Sequence, residues 1–355
     1  MKIAIVSDAW TPQINGVVRT LQATTEELKR LGHEVQLITP ADFKTIPCPT
    51  YPEIRLAVLP GRAVAKRLDA WVPDFIHIVT EGPLGWAARR YCRARGFPYT
   101  TSFHTKFPEY VEARCGIPAR WTYAWLRRFH NASQRIMANT PTVQSDLVAN
   151  GFERVQLWGR GVDLDTFKPG PRVNLHARAP VFMYVGRVAV EKNITAFLDL
   201  DLPGSKWVVG GGPQLDELKR RYPAVTFAGP QPRAALPPYY RSADVFVFPS
   251  RTDTFGLVLL EAMACGTPVA AFPVAGPIDV VGDGGVLDEN LHRACMQALA
   301  MPRARPLAHA SKFSWQAATA QFVRNLAPIQ SARGAVAPMH APIDAMTSPI
   351  VTTKF

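Results

Sequence analysis

The segment SRTDTFGLVLLEAMACGTPVAAFPVAGP, residues 250–277, places two carboxylates, Asp253 and Glu261, around a glycine turn that opens a helix. The helical stretch ends at Gly266, and the strand pattern PVAAF follows it. A helix that starts at such a turn presents unpaired backbone N–H groups and the positive end of its dipole, and that end attracts phosphate. The neighbouring carboxylates can bind hydroxyl groups. The segment therefore predicts a site for a ligand that combines phosphate with sugar hydroxyls, as a sugar nucleotide does.

The chain outside this segment alternates short β-rich runs with helical patterns. Strands are predicted in the first half at residues 2–8, 34–40, 75–80, 98–103, 135–140 and 155–160. The second half adds predicted strands at 181–187, 206–211, 225–229, 245–250 and 268–272. Helices predicted between or after them include 17–32, 84–96, 215–222, 256–264 and 313–326. This alternation predicts βαβ units and an α/β fold whose parallel sheets carry helices on both faces.

Gly and Pro interrupt the alternation in GVDLDTFKPGPR, residues 161–172, which predicts a linker between two domains. We therefore expect a Rossmann-like acceptor-side domain over residues 1–170 and a Rossmann-like nucleotide-sugar-binding domain over residues 171–326. Ligands of parallel sheets bind beyond the carboxyl ends of the strands, so two such domains facing across a cleft can hold a donor and an acceptor. Residues 327–355 hold few large apolar side chains, which predicts a disordered tail.

The composition favours a cytoplasmic protein. A length of 355 residues fits about two domains of ordinary size, and 47% hydrophobic residues suffice for their cores. No apolar run approaches the roughly 20 residues needed to cross a bilayer, and no export signal precedes the first strand pattern. The five cysteines are scattered without metal or redox spacing, which favours reduced thiols.

Positive charge is concentrated in one part of the first half. The net charge is +12, and residues 62–135 hold 13 Lys or Arg against 5 Asp or Glu. Such a cluster predicts an anionic partner, which can be lipid headgroups, nucleic acid or a phosphorylated substrate. No nucleic-acid recognition motif accompanies the cluster, so we expect no nucleic-acid partner.

Within this cluster, residues 114–135 hold five Arg and no acid. Trp121, Trp125 and Phe129 recur there at the spacing of one helix face. Two interpretations remain open: the aromatic face packs into the core, or the helix lies on an anionic membrane surface. In the second case the membrane-contact residues are Arg120, Trp121, Trp125, Arg127 and Arg128.

Two candidate residues follow strands of the N-terminal domain. Gly16 lies between the first strand and the first helix, where a glycine can bring the backbone close to a phosphate or simply form a βα turn. No GxGxxG follows that strand, which disfavours a nicotinamide or flavin dinucleotide. His104 comes just after a strand end, and is either a structural histidine or a group that binds a sugar hydroxyl or polarises the reacting centre.

The C-terminal domain offers cations after its first strand. Arg187 and Lys192 lie close to a helix start, where a Lys opposes the helix dipole and so needs a reason. A guanidinium and an ammonium group suit a diphosphate and can neutralise the charge on a departing nucleoside diphosphate. The glycine run that ends at Gly212 either admits a base or ribose or forms a tight turn. Two D-x-D triplets fit cap or turn positions, so we expect no metal and no cofactor.

Together these motifs resemble the retaining nucleotide-sugar glycosyltransferases of family 4, whose GT-B architecture has two Rossmann-like domains facing across a cleft. The resemblance covers about residues 1–326 and depends on the order of six segments: DAWTPQINGVVRTL, TEGPLG, SFHTKFPEYV, RGVDLDTFKP, YVGRVAVEKN and the acid-pair segment. The chain is most similar to bacterial GDP-mannose-dependent α-mannosyltransferases, and its QINGVV and HTKFPEYV segments are also similar to diacylglycerol glucosyltransferases.

The resemblance implies a role for each candidate residue. The catalytic group comprises His104, Arg187, Lys192 and Asp253. The donor-binding group comprises Gly16, Gly212, Phe255, Gly256, Leu257 and Glu261. Within these groups the resemblance implies that His104 binds a hydroxyl of the donor sugar, that Arg187 and Lys192 hold the diphosphate, and that Glu261 binds the ribose. The family usually has glutamate where this chain has Asp253, whose side chain is one methylene shorter.

The resemblance therefore implies a metal-independent, retaining hexosyltransferase that moves mannose from GDP-mannose to a lipid or glycolipid acceptor. We expect it in the cytoplasm, with the anionic inner face of the plasma membrane as the surface for peripheral attachment. The alternatives are a UDP-glucose-dependent diacylglycerol glucosyltransferase and a non-catalytic protein that binds nucleotide-sugars or anionic lipids.

Overall fold

The computed structural model describes residues 1–13, 15–48, 51–105, 107–109, 112, 116 and 118–329, with the backbone alone for 51–53. The strands of its N-terminal half are β1 (Lys2–Val6), β2 (Glu34–Ile38), β3 (Thr45–Cys48), β4 (Tyr51–Ala57), β5 (Phe75–Ile78), β6 (Thr100–Phe103), β7 (Arg135–Ala138) and β8 (Val155–Leu157). The C-terminal half contributes β9 (Val181–Val185), β10 (Ser205–Val209), β11 (Thr226–Gly229), β12 (Val245–Phe248), β13 (Val269–Ala271) and β14 (Gly285–Leu287).

Two six-stranded sheets are built from these strands, in the orders β2-β1-β5-β6-β7-β8 and β11-β10-β9-β12-β13-β14. All the strand pairs within the two sheets are parallel. The predicted α/β fold with two Rossmann-like parallel-sheet domains is therefore confirmed. Central strands such as β1 and β12 are buried on both faces, which explains why their sequences are continuous apolar runs without alternation.

Helices cover both faces of each sheet. Those of the N-terminal half are α1 (Gly16–Arg30), α2 (Gly61–Trp71), α3 (Pro83–Arg95), α4 (Ala119–His130) and α5 (Pro141–Ala149). Those of the C-terminal half are α6 (Thr195–Leu198), α7 (Leu215–Arg221), α8 (Leu236–Ser242), α9 (Leu257–Ala264), α10 (Pro277–Val280), α11 (Leu291–Leu299), α12 (Ala304–Ala310) and α13 (Trp315–Asn325). None of the helices in the described ranges has the length and apolar character needed to span a bilayer.

Several predicted strands end earlier in the structure than in the sequence pattern. The runs 2–8, 34–40 and 75–80 end at residues 6, 38 and 78, because the polar residues that follow already turn toward the next helix. The antiparallel pair of β3 and β4 and the edge strand β14 were not predicted.

The last helix, α13, crosses back to the N-terminal domain. Phe322 and Leu326 pack there with Ile3, Leu21 and Trp158 in one buried cluster. The predicted division at residue 170 places α13 with the C-terminal domain by its order along the chain, whereas its apolar side packs on the first sheet.

The predicted linker also packs more tightly than its composition suggests. Val162 and Phe167 are buried in the core of the C-terminal domain. Beside them, the amide of Val162 donates to the carbonyl of Phe313 at 3.2 Å, so the two segments that pass between the domains lie side by side.

The predicted disordered tail begins too early. Pro328 forms a bridge with Phe75, and the amide of Ile329 donates to the carbonyl of Asp74 at 2.8 Å. Residues 330–355 of the predicted tail lie outside the described ranges.

Candidate active site

The strand order of each sheet reverses at one point, and the candidate residues gather there. The chain runs outward from β1 to β2 in one direction and from β5 to β8 in the other, and β9 and β12 form the equivalent pair in the second sheet. Ligands of such sheets bind at this switch point, beyond the carboxyl ends of the strands. Gly16 follows β1, while Arg187 and Lys192 follow β9. The acid-pair segment follows β12.

The two switch points face each other across the domain interface. A Cβ atom built on Gly16, at the start of α1, would lie 3.9 Å from Cδ1 of Leu257, at the start of α9. Gly16 itself follows Asn15, whose side chain caps α1 by accepting from the amide of Val18. Gly16 thus lies opposite the acid-pair helix, and its approach to the donor stays a prediction.

The start of α9 has a backbone that only glycine adopts readily. Gly256 has φ 81° and ψ 72°, and a Cβ there would lie 2.9 Å from Cδ1 of Leu259. The cap position makes no side-chain hydrogen bond to the first turn. Since Phe255 is buried and Leu257 faces the interdomain cavity, this turn presents backbone rather than polar side chains at the positive end of the helix. The arrangement suits an anion.

Lys192 and Asp253 meet at this end of α9. Lys192 ends a 3-10 turn, and its Nζ lies 2.6 Å from Oδ1 of Asp253. The other carboxylate oxygen, Oδ2, is buried and has no hydrogen-bond partner in the described part of the chain. The side chains of Asn193 and Thr252 fasten the two loops together, through the carbonyls of Pro249 (3.1 Å) and Glu191 (3.2 Å). A cation and an acceptor oxygen are therefore held side by side.

Arg187 lies in the same loop, and Gly212 packs behind it. The carbonyl of Arg187 accepts a hydrogen bond of 2.8 Å from the hydroxyl of Tyr184, which fixes the loop to β9. Gly212 has φ 157°, and a Cβ there would lie 2.3 Å from the carbonyl oxygen of Val188. The glycine run thus allows two loops to pack backbone to backbone, and a donor contact from Gly212 stays a prediction.

Glu261, in the second turn of α9, is buried at 3% exposure and bonded from both domains. Its Oε1 lies 3.2 Å from Nη1 of Arg19 on α1 and 3.6 Å from Nε of Arg233, and its Oε2 accepts from the hydroxyl of Tyr240 at 3.0 Å. Burial raises the pKa of Glu261, while Arg19 and Arg233 lower it. Neither Arg19 nor Tyr240 was predicted as a partner of Glu261. For Arg19 the reason is distance along the chain, since it lies 242 residues from Glu261.

A cavity of about 470 Å³ opens beside this carboxylate. It lies between α1, the linker and the C-terminal domain, and its size falls within the range of small-molecule sites. Its polar lining combines arginines with carboxylates: Arg19, Glu26, Glu27, Arg30, Asp163, Asp165, Arg233 and Glu261. Asp163 also caps its own turn through the amides of residues 165 and 166, as expected for the first D-x-D triplet.

A second interdomain connection passes through Thr254. Its hydroxyl donates to the backbone carbonyl of His104 at 2.7 Å and accepts from Nδ2 of Asn139 at 2.8 Å. Thr254 lies between Asp253 and the glycine turn, so the N-terminal domain directly supports the loop that carries the acid. Asn139 follows β7 and was not predicted, because a single Asn after a strand is common in loops of any function.

The ring of His104 lies within hydrogen-bond distance of two side chains of the N-terminal domain. Nε2 lies 2.8 Å from the hydroxyl of Ser102, and Nδ1 lies 3.1 Å from Nη2 of Arg160. Burial lowers the pKa of His104 well below its usual range, and the charge of Arg160 adds to this effect. The predicted bond to a sugar hydroxyl therefore requires the exchange of one of these partners.

The aromatic residues of α4 differ in burial, so part of this face packs into the core and part faces outward. Phe129 is buried in the core, whereas Trp121 and Trp125 are 64% and 41% exposed. The Trp125 ring still packs 5.7 Å from that of Trp86 on α3.

The arginines of α4 likewise differ in their surroundings. Arg120 and Arg128 are exposed, and the guanidinium of Arg120 lies 5.9 Å from the centre of the Trp121 ring. Arg127 is half-buried and donates to the carbonyl of Asn150 at 2.8 Å, so it is held to the protein. Arg114, from the predicted basic segment, lies outside the described residues.

Two Rossmann-like domains with their switch points opposed define the GT-B architecture. A solved structure of sucrose-phosphate synthase from Thermosynechococcus elongatus shares this fold with a TM-score of 0.75 at 21% identity, covering 91% of this chain and 97% of that one. The model of Glycosyltransferase Family 4 matches residues 14–166, and that of Glycosyl transferases group 1 matches residues 179–301.

Curated relatives agree with these matches. A GDP-mannose-dependent alpha-mannosyltransferase of Mycolicibacterium smegmatis is 32% identical over 312 residues, covering 79% of this chain and 82% of the relative. One of the same description from Mycobacterium tuberculosis is 30% identical over 308 residues, covering 79% and 81%. The chain therefore belongs to the family 4 glycosyltransferases and is an enzyme that transfers a sugar.

Proposed function

We propose that this glycosyltransferase moves mannose from GDP-mannose to a lipid or glycolipid acceptor with retention of configuration at the anomeric carbon. The observation that carries the proposal is the pairing of Lys192 with Asp253 at the glycine-capped start of α9, opposite the N-terminal domain. Similarity to relatives described as GDP-mannose-dependent alpha-mannosyltransferases supports the choice of donor.

The donor diphosphate lies, in this proposal, at the start of α9 and beside Lys192 and Arg187. The helix dipole, the turn amides and the two cations all favour negative charge, and their effect grows when the leaving group departs as a nucleoside diphosphate. Oδ2 of Asp253 accepts a hydroxyl of the transferred sugar, since this oxygen is buried without a partner of its own in the described chain. Glu261 binds the ribose after exchanging one of its present partners.

The chemical step needs positioning and charge stabilisation more than acid or base groups. The bond between the anomeric carbon and the phosphate oxygen breaks on the face where the acceptor oxygen attacks, and the acceptor proton passes to the leaving phosphate. The protein holds both reactants at the interdomain cleft. Closure of the cleft excludes water and so limits hydrolysis of the donor. No step in this scheme calls for a metal.

The acceptor approaches from the N-terminal domain. A cavity of about 260 Å³ lies beside the loop that joins β1 to α1, with Trp10 and Phe43 as its aromatic walls and Arg55 among its polar groups. Aromatic faces with a few polar groups suit a sugar or polyol headgroup. This placement supports a glycolipid acceptor, and the Phe43 ring also contacts Arg67 of α2 at 5.6 Å.

The basic surface of α2, α3 and α4 supports peripheral binding to an anionic membrane at the cytoplasmic face. The exposed side chains of these helices include seven cations against a single acid, Asp69: Arg62, Lys66, Arg90, Arg93, Arg95, Arg120 and Arg128. Exposed Trp121 and Trp125 lie among them, and aromatic rings of this kind are enriched at membrane interfaces. A lipid acceptor would then be met at the surface where it resides.

A donor screen tests the proposed reaction. Purified protein should be protected from thermal unfolding by GDP and GDP-mannose more than by UDP and UDP-glucose, because only a ligand that binds the folded state raises the midpoint. Transfer of labelled mannose to a glycolipid, with an α-linked product by NMR, would complete the assignment. A preference for UDP-glucose would favour the diacylglycerol glucosyltransferase alternative and overturn the choice of donor.

Membrane binding has its own test. The Trp121→Ser and Trp125→Ser double variant and the Arg120→Gln and Arg128→Gln double variant should each release the protein from vesicles that contain anionic lipid. An Arg220→Gln variant, on the exposed face of α7, is the matched control. Unchanged co-sedimentation of both double variants would contradict the proposed surface.

A further inference from the structure

The side-chain pair of His104 and Arg160 decides which ring nitrogen of His104 carries a hydrogen. A guanidinium group has only donors, so the nitrogen that lies 3.1 Å from Nη2 of Arg160, Nδ1, must be the acceptor. The hydrogen of a neutral ring then resides on Nε2 and is donated to the hydroxyl oxygen of Ser102 at 2.8 Å. The hydroxyl of Ser102 donates in turn to the carbonyl of Val79 at 3.3 Å, which leaves its lone pairs for His104.

Arg160 is held firmly enough to impose this choice. It is 5% exposed, and its Nη1 donates to the carbonyls of Trp158 (2.6 Å) and Gly159 (2.9 Å), immediately before the linker. Its guanidinium also lies over the Trp158 ring at 4.3 Å. Burial lowers the pKa of Arg160 to about 9, so the group remains a cation and a donor at neutral pH.

The two partners of His104 differ in how easily a ligand can replace them. If a ligand replaced Arg160 at Nδ1, the buried guanidinium of Arg160 would lose one of its acceptors. If a ligand replaced Ser102 at Nε2, the hydroxyl of Ser102 would keep its other contact, which is with Nε2 of His77 at 3.2 Å. An incoming hydroxyl or phosphate oxygen therefore replaces Ser102 and meets an N–H group. The hydroxyl of Thr254 donates to the carbonyl of His104 and so ties the backbone at His104 to the loop of Asp253.

We infer that Arg160 is a positioning residue that fixes His104 as a hydrogen-bond donor through Nε2 toward the bound donor substrate, and that His104 is therefore not a general base. The inference rests on the proposed function, together with the predicted bond of His104 to a hydroxyl of the donor sugar. Arg160 thereby has a role that no sequence motif indicated. A doubly protonated ring is disfavoured in the same arrangement, because Nδ1–H would point at the guanidinium.

The surroundings of His104 reinforce the neutral state. Burial is the largest cause of its lowered pKa, followed by the charge of Arg160 and then by His77 and His130. Removing the charge at residue 160 should therefore raise the pKa of His104, and the acid limb of the pH profile of kcat/KM should move to higher pH. A purely structural role for Arg160 would lower activity or stability without moving that limb.

The test combines nitrogen NMR with kinetics. In the wild-type protein labelled with ¹⁵N-histidine, His104 should show a protonated Nε2 and an unprotonated Nδ1, assigned by its loss in His104→Gln. In Arg160→Met the Nδ1 signal should shift, and the acid limb should move upward. Arg160→Lys, which keeps a charge and a donor, should restore both toward wild type. Arg178→Met, on an exposed arginine, is the matched control.

Each outcome decides something definite. A wild-type His104 with the hydrogen on Nδ1 would overturn the inference, even if Arg160→Met fails to fold. An unmoved acid limb in a folded, active Arg160→Met variant would overturn it as well. A wild-type protein that transfers no sugar from any donor would instead defeat the proposed function, while the NMR signals would still report the tautomer that Arg160 imposes.

Discussion

Each sheet has one switch point, yet the two sheets use the helix starts at these points in opposite ways. Helix α3 follows β5 beside β1, and its first amides are taken by the carboxylate of Asp8, which accepts from Leu84 (2.9 Å) and Gly85 (3.2 Å). Helix α9 follows β12 beside β9 and begins at Gly256, without a side-chain cap. One positive helix end is neutralised within the protein, whereas the other has no side-chain cap, which supports the anion site proposed there.

The acids at the two switch points differ accordingly. Asp8 is buried, and its pKa is raised by burial despite the hydrogen bonds that lower it, so it serves the fold. Asp253 pairs with Lys192 and keeps one oxygen without a partner among the described residues. The two switch points thus differ in how their acids are bonded, and the difference arises from a few side chains at strand ends.

The largest expected effect is on catalysis. Lys192→Ala should lower kcat/KM by about 100- to 1,000-fold, equivalent to ~2.7–4 kcal/mol, because a positioned cation no longer meets the leaving diphosphate. Circular dichroism and the thermal midpoint should stay close to wild type. Lys219→Ala, on the exposed face of α7, should retain full activity. Near-normal turnover in Lys192→Ala would contradict the proposed anion site in the C-terminal domain.

The next effect is on stability, where the substitution of Asp8 should have a larger effect than that of Asp253. Asp8→Ala should lower the free energy of unfolding by about 2 kcal/mol, because it leaves the buried amides at the start of α3 without their acceptor. Asp253→Ala removes a part-exposed ion pair and should cost less than ~1 kcal/mol, while it abolishes most activity. Urea titrations of both variants measure the difference. Equal losses of stability would mean that the two helix ends are not used differently.

A smaller effect concerns nucleotide affinity. Glu261→Gln should weaken GDP binding about tenfold, because a neutral amide accepts weaker hydrogen bonds from ribose than a carboxylate does. Titration calorimetry provides the Kd, with Glu217→Gln on the exposed face of α7 as the control. An unchanged Kd would show that the carboxylate serves only the contacts with Arg19 and Tyr240.

The smallest effect distinguishes the two sheets by acid sensitivity. His77, on β5, is buried with a pKa lowered to about 3 by burial and by Arg160, while the equivalent strand β12 is entirely apolar. The unfolded chain binds the extra proton between about pH 6.5 and 3, so the free energy of unfolding falls as pH drops through that window.

This dependence can be isolated by substitution. Between pH 7.5 and 6 the loss attributable to His77 should be just under ~1 kcal/mol. His77→Gln should reduce the slope of unfolding free energy against pH, and His292→Gln, on an exposed residue, should not. An unchanged slope in His77→Gln would place the acid-sensitive group elsewhere.

The sequence was sufficient for the fold class and for the loops that carry the candidate residues. Parallel strands buried on both faces are continuous apolar runs, and the glycine turns mark where each loop meets a helix. The hairpin of β3 and β4 was not predicted, because a proline interrupts each strand and charged residues also interrupt β4.

Contacts across the domain interface could not be predicted from the sequence, for a different reason. The partners of Glu261 and Thr254 lie up to 242 residues away and come together only when the two sheets dock. An Arg in the first turn of α1, such as Arg19, resembles any solvated helix position until the opposite domain is in place. The tautomer of His104 likewise depends on Arg160, 56 residues further along the chain.

The return of α13 to the first sheet has a consequence for protein engineering. The N-terminal lobe includes the last helix of the described chain, so a chimera between two relatives cannot be made with a single junction. Two cuts are needed, one near Gly161 and one near Phe313, where the two passages run side by side. Two connections instead of one also restrict twisting of one lobe against the other, which limits the ways in which the enzyme can open to admit its substrates.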